Sequence, residues 1–281
     1  GAQSASVSYT VKDKLKILDI LDALGIGFAE AGAPAAVAKD EELFLQLKRE
    51  RVRFRTLKPV AFHSTCREGV AACEDELLKK TVALADEYVS LYGKSSLAQV
   101  VSVIRTSGDE NLRMIADSVA YCRENGKRVI FEGEHFFDGF RADPDYALQT
   151  LVAAVNAGAE RVVLCDTNGG SMPGEVKRVV REVCKALSVP VGIHCHNDCG
   201  LAVANTLFAV EGGASDVHGT FCGIGERCGN TALCTVIPDL QIKMGLSVLP
   251  PDRLRLLTGS ARRIADITNI AFDERAPYVG G

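Results

Sequence analysis

The chain has 281 residues, 47% of them apolar and 24% charged, with 32 basic against 36 acidic side chains for a net charge of −4. That balance excludes a disordered, collagenous or coiled-coil chain, and the mixed charges leave no basic stripe of the kind a nucleic-acid binder needs. The longest apolar runs (59–62 and 151–155) are a handful of residues, far short of a bilayer span. The first residues carry neither a charged nor an apolar leader segment, so no secretion signal is expected in the chain as given. Ten cysteines without paired C-x-x-C spacing are too dilute for a disulfide scaffold. They fit reduced thiols in a cytoplasm. With aromatics at 6% and no Trp, the core must be built from Ala, Val, Leu and Ile.

In chain order, residues 1–6 read as a loop leading straight into a helix over 10–24, where Leu15, Ile17, Leu18, Ile20, Leu21 and Leu24 form a broad apolar stripe. Short, nearly all-apolar runs follow at 27–32, 59–64 and 88–92. A second helical stripe spans 110–124 through Leu112, Ile115, Val119 and Cys122. Strand-like runs at 128–132, 161–166, 189–194 and 216–221 then alternate with helical patterns at 143–157, 173–187 and 200–212. The strand runs lack clean alternation, as parallel strands buried on both faces do. Several helices stop at glycine (Gly25, Gly126, Gly158, Gly213), which can take the left-handed cap.

Repeated βα units leave an open doubly wound sheet or a closed (β/α)8 barrel. Seven runs, plus one strand expected before the opening loop, make eight, and the length suits a barrel of about 250 residues with terminal extras. The expectation is an α/β TIM barrel over 1–250 whose first strand is missing from the chain as given. Residues 251–281 are expected to form a helical extension.

The densest polar cluster, Gly192-Ile193-His194-Cys195-His196-Asn197-Asp198, closes the run at 189–194. Barrel active sites form at the carboxyl ends of strands. Residues i and i+2 of a strand share a face, so His194 and His196 can converge on a divalent metal, which neutral imidazoles suit. Two histidines merely capping a strand are the bland alternative. Cys195 points the other way and reads as core filler. The segment Gly223-Ile224-Gly225-Glu226-Arg227-Cys228-Gly229-Asn230 follows the next run, its glycines permitting tight turns and placing Asn230 and Glu226/Arg227 on the same rim. Other strand ends carry Glu30, His63, Lys94, Glu132, Glu134, Asp166 and Thr167. Charged groups in a barrel mouth need partners or a ligand.

These motifs, with Leu201-Ala202-Val203-Ala204-Asn205 between them, resemble the metal-dependent acyl-CoA condensing enzymes of the 2-isopropylmalate, homocitrate and citramalate synthase family, over essentially the whole chain. Tyr92-Gly93-Lys94-Ser95, Glu134-His135-Phe136-Phe137-Asp138-Gly139 and Leu164-Cys165-Asp166-Thr167-Asn168-Gly169-Gly170 bring it nearest the citramalate synthase-like members. The resemblance implies an acyltransferase that condenses acetyl-CoA with a small α-keto acid, pyruvate giving citramalate, and then hydrolyses the thioester. Isopropylmalate or homocitrate synthesis is the sister alternative, and an incomplete, non-catalytic barrel is a third. It implies His194 and His196 as ligands of a divalent metal ion (Zn, Mn, Mg or Co), with Asn230 at or near it. Glu134 matches a glutamate that supports a catalytic arginine, and Thr167 matches a threonine at the keto-acid carboxylate. Glu134, Thr167 and Glu226 are therefore the candidate catalytic residues. Glu30, His63 and Lys94 join Thr167 as candidate substrate-binding residues. Partners are acetyl-CoA and the keto acid, with no nucleic acid or membrane, in a homodimer.

The resemblance also implies an Arg-Asp pair immediately before Gly1, a cross-dimer histidine just beyond Gly280 and a C-terminal regulatory domain, so both ends are expected to be trimmed.

Overall fold

The computed structural model describes residues 7–281; the expectations for residues 1–6 lie outside them. Seven parallel strands are described: β1 (Phe28–Gly32), β2 (Lys58–Ser64), β3 (Tyr88–Lys94), β4 (Arg128–Glu134), β5 (Arg161–Asp166), β6 (Val191–Cys195) and β7 (Asp216–His218), paired in sequence order without a switch point. A doubly wound sheet reverses its strand order in the middle. This one does not, which decides for the barrel-like architecture.

The helices are α1 (Val11–Leu24), α2 (Ala38–Arg49), α3 (Glu76–Leu84), α4 (Leu97–Gln99, continuing as a π-turn over Val100–Ile104), α5 (Gly108–Glu124), α6 (Phe136–Ala142), α7 (Pro144–Asn156), α8 (Pro173–Ala186), α9 (Ala202–Gly212), α10 (Leu233–Pro238) and α11 (Leu257–Thr268). The five helices expected from apolar stripes correspond to α1, α5, α7, α8 and α9. Thr10 caps α1 in a reciprocal box with Asp13, and Gly25 ends it at φ 91°. Helices α2, α3 and α6 are not among them; each buries only two or three large apolar residues (Leu43 and Phe44; Leu78, Val82 and Leu84; Phe136, Phe137 and Phe140).

Alternate strand positions feed two cores. Ala61, Val89, Leu91, Phe131, Val162, Leu164, Ile193 and Cys195 face outward into the main sheet–helix core. Val60, Tyr88, Ile130, Val163 and Cys165 face inward with Phe28 against them. The sheet is strongly curled. Seven flat strands would separate β1 from β7 by about 29 Å, yet Glu30 on β1, Glu132 on β4 and His218 on β7 bring carboxylate and imidazole atoms within 4.8 Å of one another. The amino end of the curl is closed by Arg161, which pairs with Asp216 of β7 at 2.5 Å and lies over the Phe28 ring of β1. β1 and β7 are not paired with each other among the described residues, so the TIM-barrel-like wall is open along one side.

One strand differs from expectation. The run at 216–221 pairs only over Asp216–His218, because the backbone then turns away. Thr220 bridges to Ala232, and a Cβ at Gly219 would lie 2.6 Å from the Thr231 carbonyl oxygen. Residues beyond 250 do not stand apart: Leu257, Ala261, Ile264 and Val279 join Ile20 and Leu24 of α1 in one apolar cluster.

Candidate active site

The carboxyl ends of the strands carry the polar groups. His194 and His196 project from one face of β6 with ring centroids 5.2 Å apart and planes 14° from parallel. Asn230 is drawn beside them because its backbone bridges to that of His196. Both nitrogens of His194, Nδ1 of His196 and Oδ1 of Asn230 are buried without a hydrogen-bond partner. Buried donors and acceptors are nearly always paired, so an unpaired set of two imidazoles and an amide oxygen needs an outside partner. Burial, with the neighbouring His194 and Arg227 adding to it, lowers the His196 pKa to about 4, so its ring keeps a free lone pair at neutral pH. These donors fit a divalent cation.

Deeper in the curl, Glu132 is 3% exposed. Ser90 Oγ donates to its Oε1 at 2.6 Å, while His194 Nδ1 lies 3.6 Å from Oε2 and His218 Nδ1 4.0 Å from Oε1. Desolvation alone would raise its pKa. The Glu30 carboxyl and the His194 and His218 imidazoles beside it outweigh that and hold Glu132 ionised. Glu30 carries the opposite burden. Although much of its side chain is open along the sheet edge, loss of water around its carboxyl and the Glu132 charge raise its pKa well above the ordinary range. Of the two neighbouring carboxyls, Glu30 is therefore the one that favours the protonated form. Cys165 lies 3.8 Å from Glu132, its thiol pushed up by burial and by that carboxylate.

Of the remaining candidates, Lys94 and Glu134 do not join the imidazoles. They pair with each other at 2.6 Å at the ends of β3 and β4. With Thr65, Tyr92, Asn111 and Met114 they line a cavity of about 250 Å3. Thr167 sits just past β5, where its Oγ1 accepts from the His135 amide at 2.8 Å and its O–H remains free to donate. His63 does not reach the cluster: it follows Ala61 on the outward parity of β2, with Nδ1 2.6 Å from the Ser64 carbonyl oxygen. Glu226 also stays out, its side chain exposed beside Arg227.

Arg227 has a structural task that the motif did not reveal. It makes a bidentate pair with Asp198 (2.7 and 2.9 Å) and donates to the Thr167 carbonyl at 2.7 Å, tying the loops after β5, β6 and β7 together. Gly229, at φ 95°, lets the loop turn with its Cα against the Gly223 carbonyl, where a Cβ would lie 2.2 Å from the oxygen. Glu132 and His218 are the neighbours of His194 that received no role from the sequence. The available signal was parity: Glu132 shares a face with Glu134, and His218 lies two residues after Asp216.

A profile of the HMGL-like family matches residues 1–255. The chain belongs to the HMGL-like family. Over its whole length it is 46% identical to the (R)-citramalate synthase of Synechocystis sp. and 43% identical to that of Aquifex aeolicus. It covers 52% and 53% of those proteins, so the chain spans about half the length of the curated relatives it matches. The HMG-CoA lyase structure from Bacillus subtilis superposes with a TM-score of 0.78 at 16% identity, covering 97% of this chain and 91% of that one. At that identity the likeness speaks for the fold, and it agrees with the curled parallel sheet. Among the described residues of this HMGL-like chain, no helix is long and apolar enough to cross a membrane.

Proposed function

We propose that this chain carries the catalytic barrel of an acyltransferase that condenses acetyl-CoA with pyruvate to give citramalate and releases the product by thioester hydrolysis. The observation that carries the proposal is the set of buried, unpartnered donors on His194, His196 and Asn230 at the barrel mouth, in a chain 46% identical to a protein named (R)-citramalate synthase. Those three side chains would hold a divalent ion. When bound there, such an ion supplies Lewis-acid polarisation of a keto carbonyl and a counter-charge for the adjacent carboxylate. In this reading the O–H of Thr167, whose oxygen accepts from the His135 amide, donates to that carboxylate. Lys94, an ammonium with three N–H donors, is ion-paired with Glu134 at 2.6 Å on the cavity wall, and in this reading the Lys94–Glu134 pair orients the anionic acid from the cavity side. Arg227 holds the three loops that form the rim in register. Ten unbridged thiols fit a reducing compartment, and a cytoplasmic homodimer completes the proposal.

The test is turnover with acetyl-CoA and a panel of pyruvate, 2-oxobutyrate, 2-oxoisovalerate and 2-oxoglutarate, followed by free-thiol release and product chromatography. Pyruvate is expected to give the highest kcat/KM. Discrimination against one extra methylene is worth only about 1–3 kcal/mol, so 2-oxobutyrate should react slowly. A preference for 2-oxoisovalerate would move the assignment to isopropylmalate formation, and absence of turnover with every acid would leave a binding barrel.

A further inference from the structure

Glu132 presents a problem of charge. Its carboxyl is 3% exposed, and no Lys or Arg among the described residues pairs with it; its close polar neighbours are Ser90, Glu30, Cys165, His194 and His218. Burying a carboxylate costs several kcal/mol unless donors surround it, and a neutral leucine or serine would fill this wall more cheaply. The geometry around His194 supplies a reason for keeping it. An ionised carboxylate only accepts hydrogen bonds. The His194 nitrogen that faces it is Nδ1, at 3.6 Å, just beyond hydrogen-bond distance and with no other partner. An imidazole donating Nδ1–H has its lone pair on Nε2, and Nε2 of His194 is buried with no protein partner. The His196 ring stacks alongside at 5.2 Å. Glu132 is itself fixed from behind by Ser90 Oγ at 2.6 Å, on the neighbouring strand β3. A hydroxyl, a carboxylate and an imidazole with an unpartnered far nitrogen are therefore successive neighbours across three strands.

We propose that Glu132 is a positioning residue, which holds His194 in the Nδ1–H tautomer and turns its Nε2 toward a divalent cation shared with His196 and Asn230. This rests on the metal reading of those three side chains. Carboxylates behind ligating histidines fix ring orientation and raise ligand basicity, and their removal costs about 10–100-fold in metal affinity. Ser90 is the third member of the chain and acts through Glu132.

The experiment compares the wild type with Glu132→Gln, Glu132→Asp and His194→Ala. Each is titrated with Co2+ against a chelating dye, and the visible spectrum of bound Co2+ reports the ligand set. Glu132→Gln should weaken Co2+ binding by about 10–100-fold with an unchanged spectrum, and Glu132→Asp should recover most of that loss. On the metal-free wild type, which needs no variant to fold, long-range 1H–15N correlation should show His194 protonated at Nδ1. Unchanged affinity in Glu132→Gln overturns the inference, as does His194 carrying its proton on Nε2. A changed Co2+ spectrum also overturns it, because Glu132 would then be a direct ligand. Failure of the underlying metal site looks different: the wild type would bind no Co2+, or His194→Ala would bind it as tightly as the wild type.

Discussion

Replacing Asp75 should destabilise the wall of the cavity that holds Lys94 and Glu134. Asp75 is the N-cap of α3, and its side chain is 2% exposed. Oδ1 accepts from the Leu77 and Leu78 amides at 3.1 and 3.2 Å, and Oδ2 accepts from the Arg67 amide and Nε at 3.1 and 3.2 Å. It thus ties α3 to the 65–68 segment, which lines the cavity. In Asp75→Ala the lost cap costs about 1 kcal/mol, and the stranded Arg67 amide adds about 1–3 kcal/mol. The Arg67 ion pair adds nothing countable, since its guanidinium side is 66% exposed. The sum is about 2–4 kcal/mol. Asp75→Asn keeps an oxygen for the cap but turns an N–H2 toward two N–H donors, so it should still lose about 1–2 kcal/mol.

Burial alone would raise the Asp75 pKa, but hydrogen bonds from Arg67 and Leu78 outweigh it and hold the carboxyl below its ordinary value. A depressed folded pKa contributes stability that is complete above the unfolded value, about 3.9, and is lost as pH falls through the folded value. The gap between wild type and Asp75→Asn should therefore be widest at pH 7 and shrink as pH falls below about 3.9, where the unfolded chain takes up the proton first. Urea unfolding followed by circular dichroism at pH 7 and pH 3 measures it. A cost below about 0.5 kcal/mol for Asp75→Ala, the ordinary range for a surface substitution, or a gap to Asp75→Asn that does not change with pH, would refute the reasoning.

Two further outcomes follow from the mouth. Gly229→Ala places a Cβ 2.2 Å from the Gly223 carbonyl oxygen at a φ of 95°. The loop must shift and take Asn230 with it, lowering divalent-ion affinity at least about tenfold while the far-ultraviolet spectrum stays native; equal affinity would sink the role given to this loop. In the metal-free protein the His196 pKa, lowered to about 4 by burial, sits below its unfolded value of about 6.5. Its contribution to stability is complete above pH 6.5 and drains away as pH falls toward 4, and an NMR titration placing the His196 midpoint at 6 or above would contradict the buried neutral ring.

Local chemistry made the βα alternation and the long helices legible, because α1, α5, α7 and α8 carry apolar stripes at helical spacing, whereas α9 turns inward the small and polar residues Ala202, Asn205, Thr206, Ala209 and Gly212. The period of two along a strand was enough to put the His194 and His196 rings on one side and Cys195 on the other, as they are found. It could not say which way His63 faces. A strand buried on both faces has no polar–apolar alternation, so Phe62 and His63 carry no sign of inside or outside until register places Val60 inward and Ala61 outward. The same holds for partners. Lys94 and Glu134 pair because β3 and β4 align them side by side in register, 40 residues apart in the chain. Glu132 meets His194 and His218 because the sheet curls until β4 looks across at β6 and β7. Curvature is a property of all the strands packed together, and no window of residues short enough to read contains it.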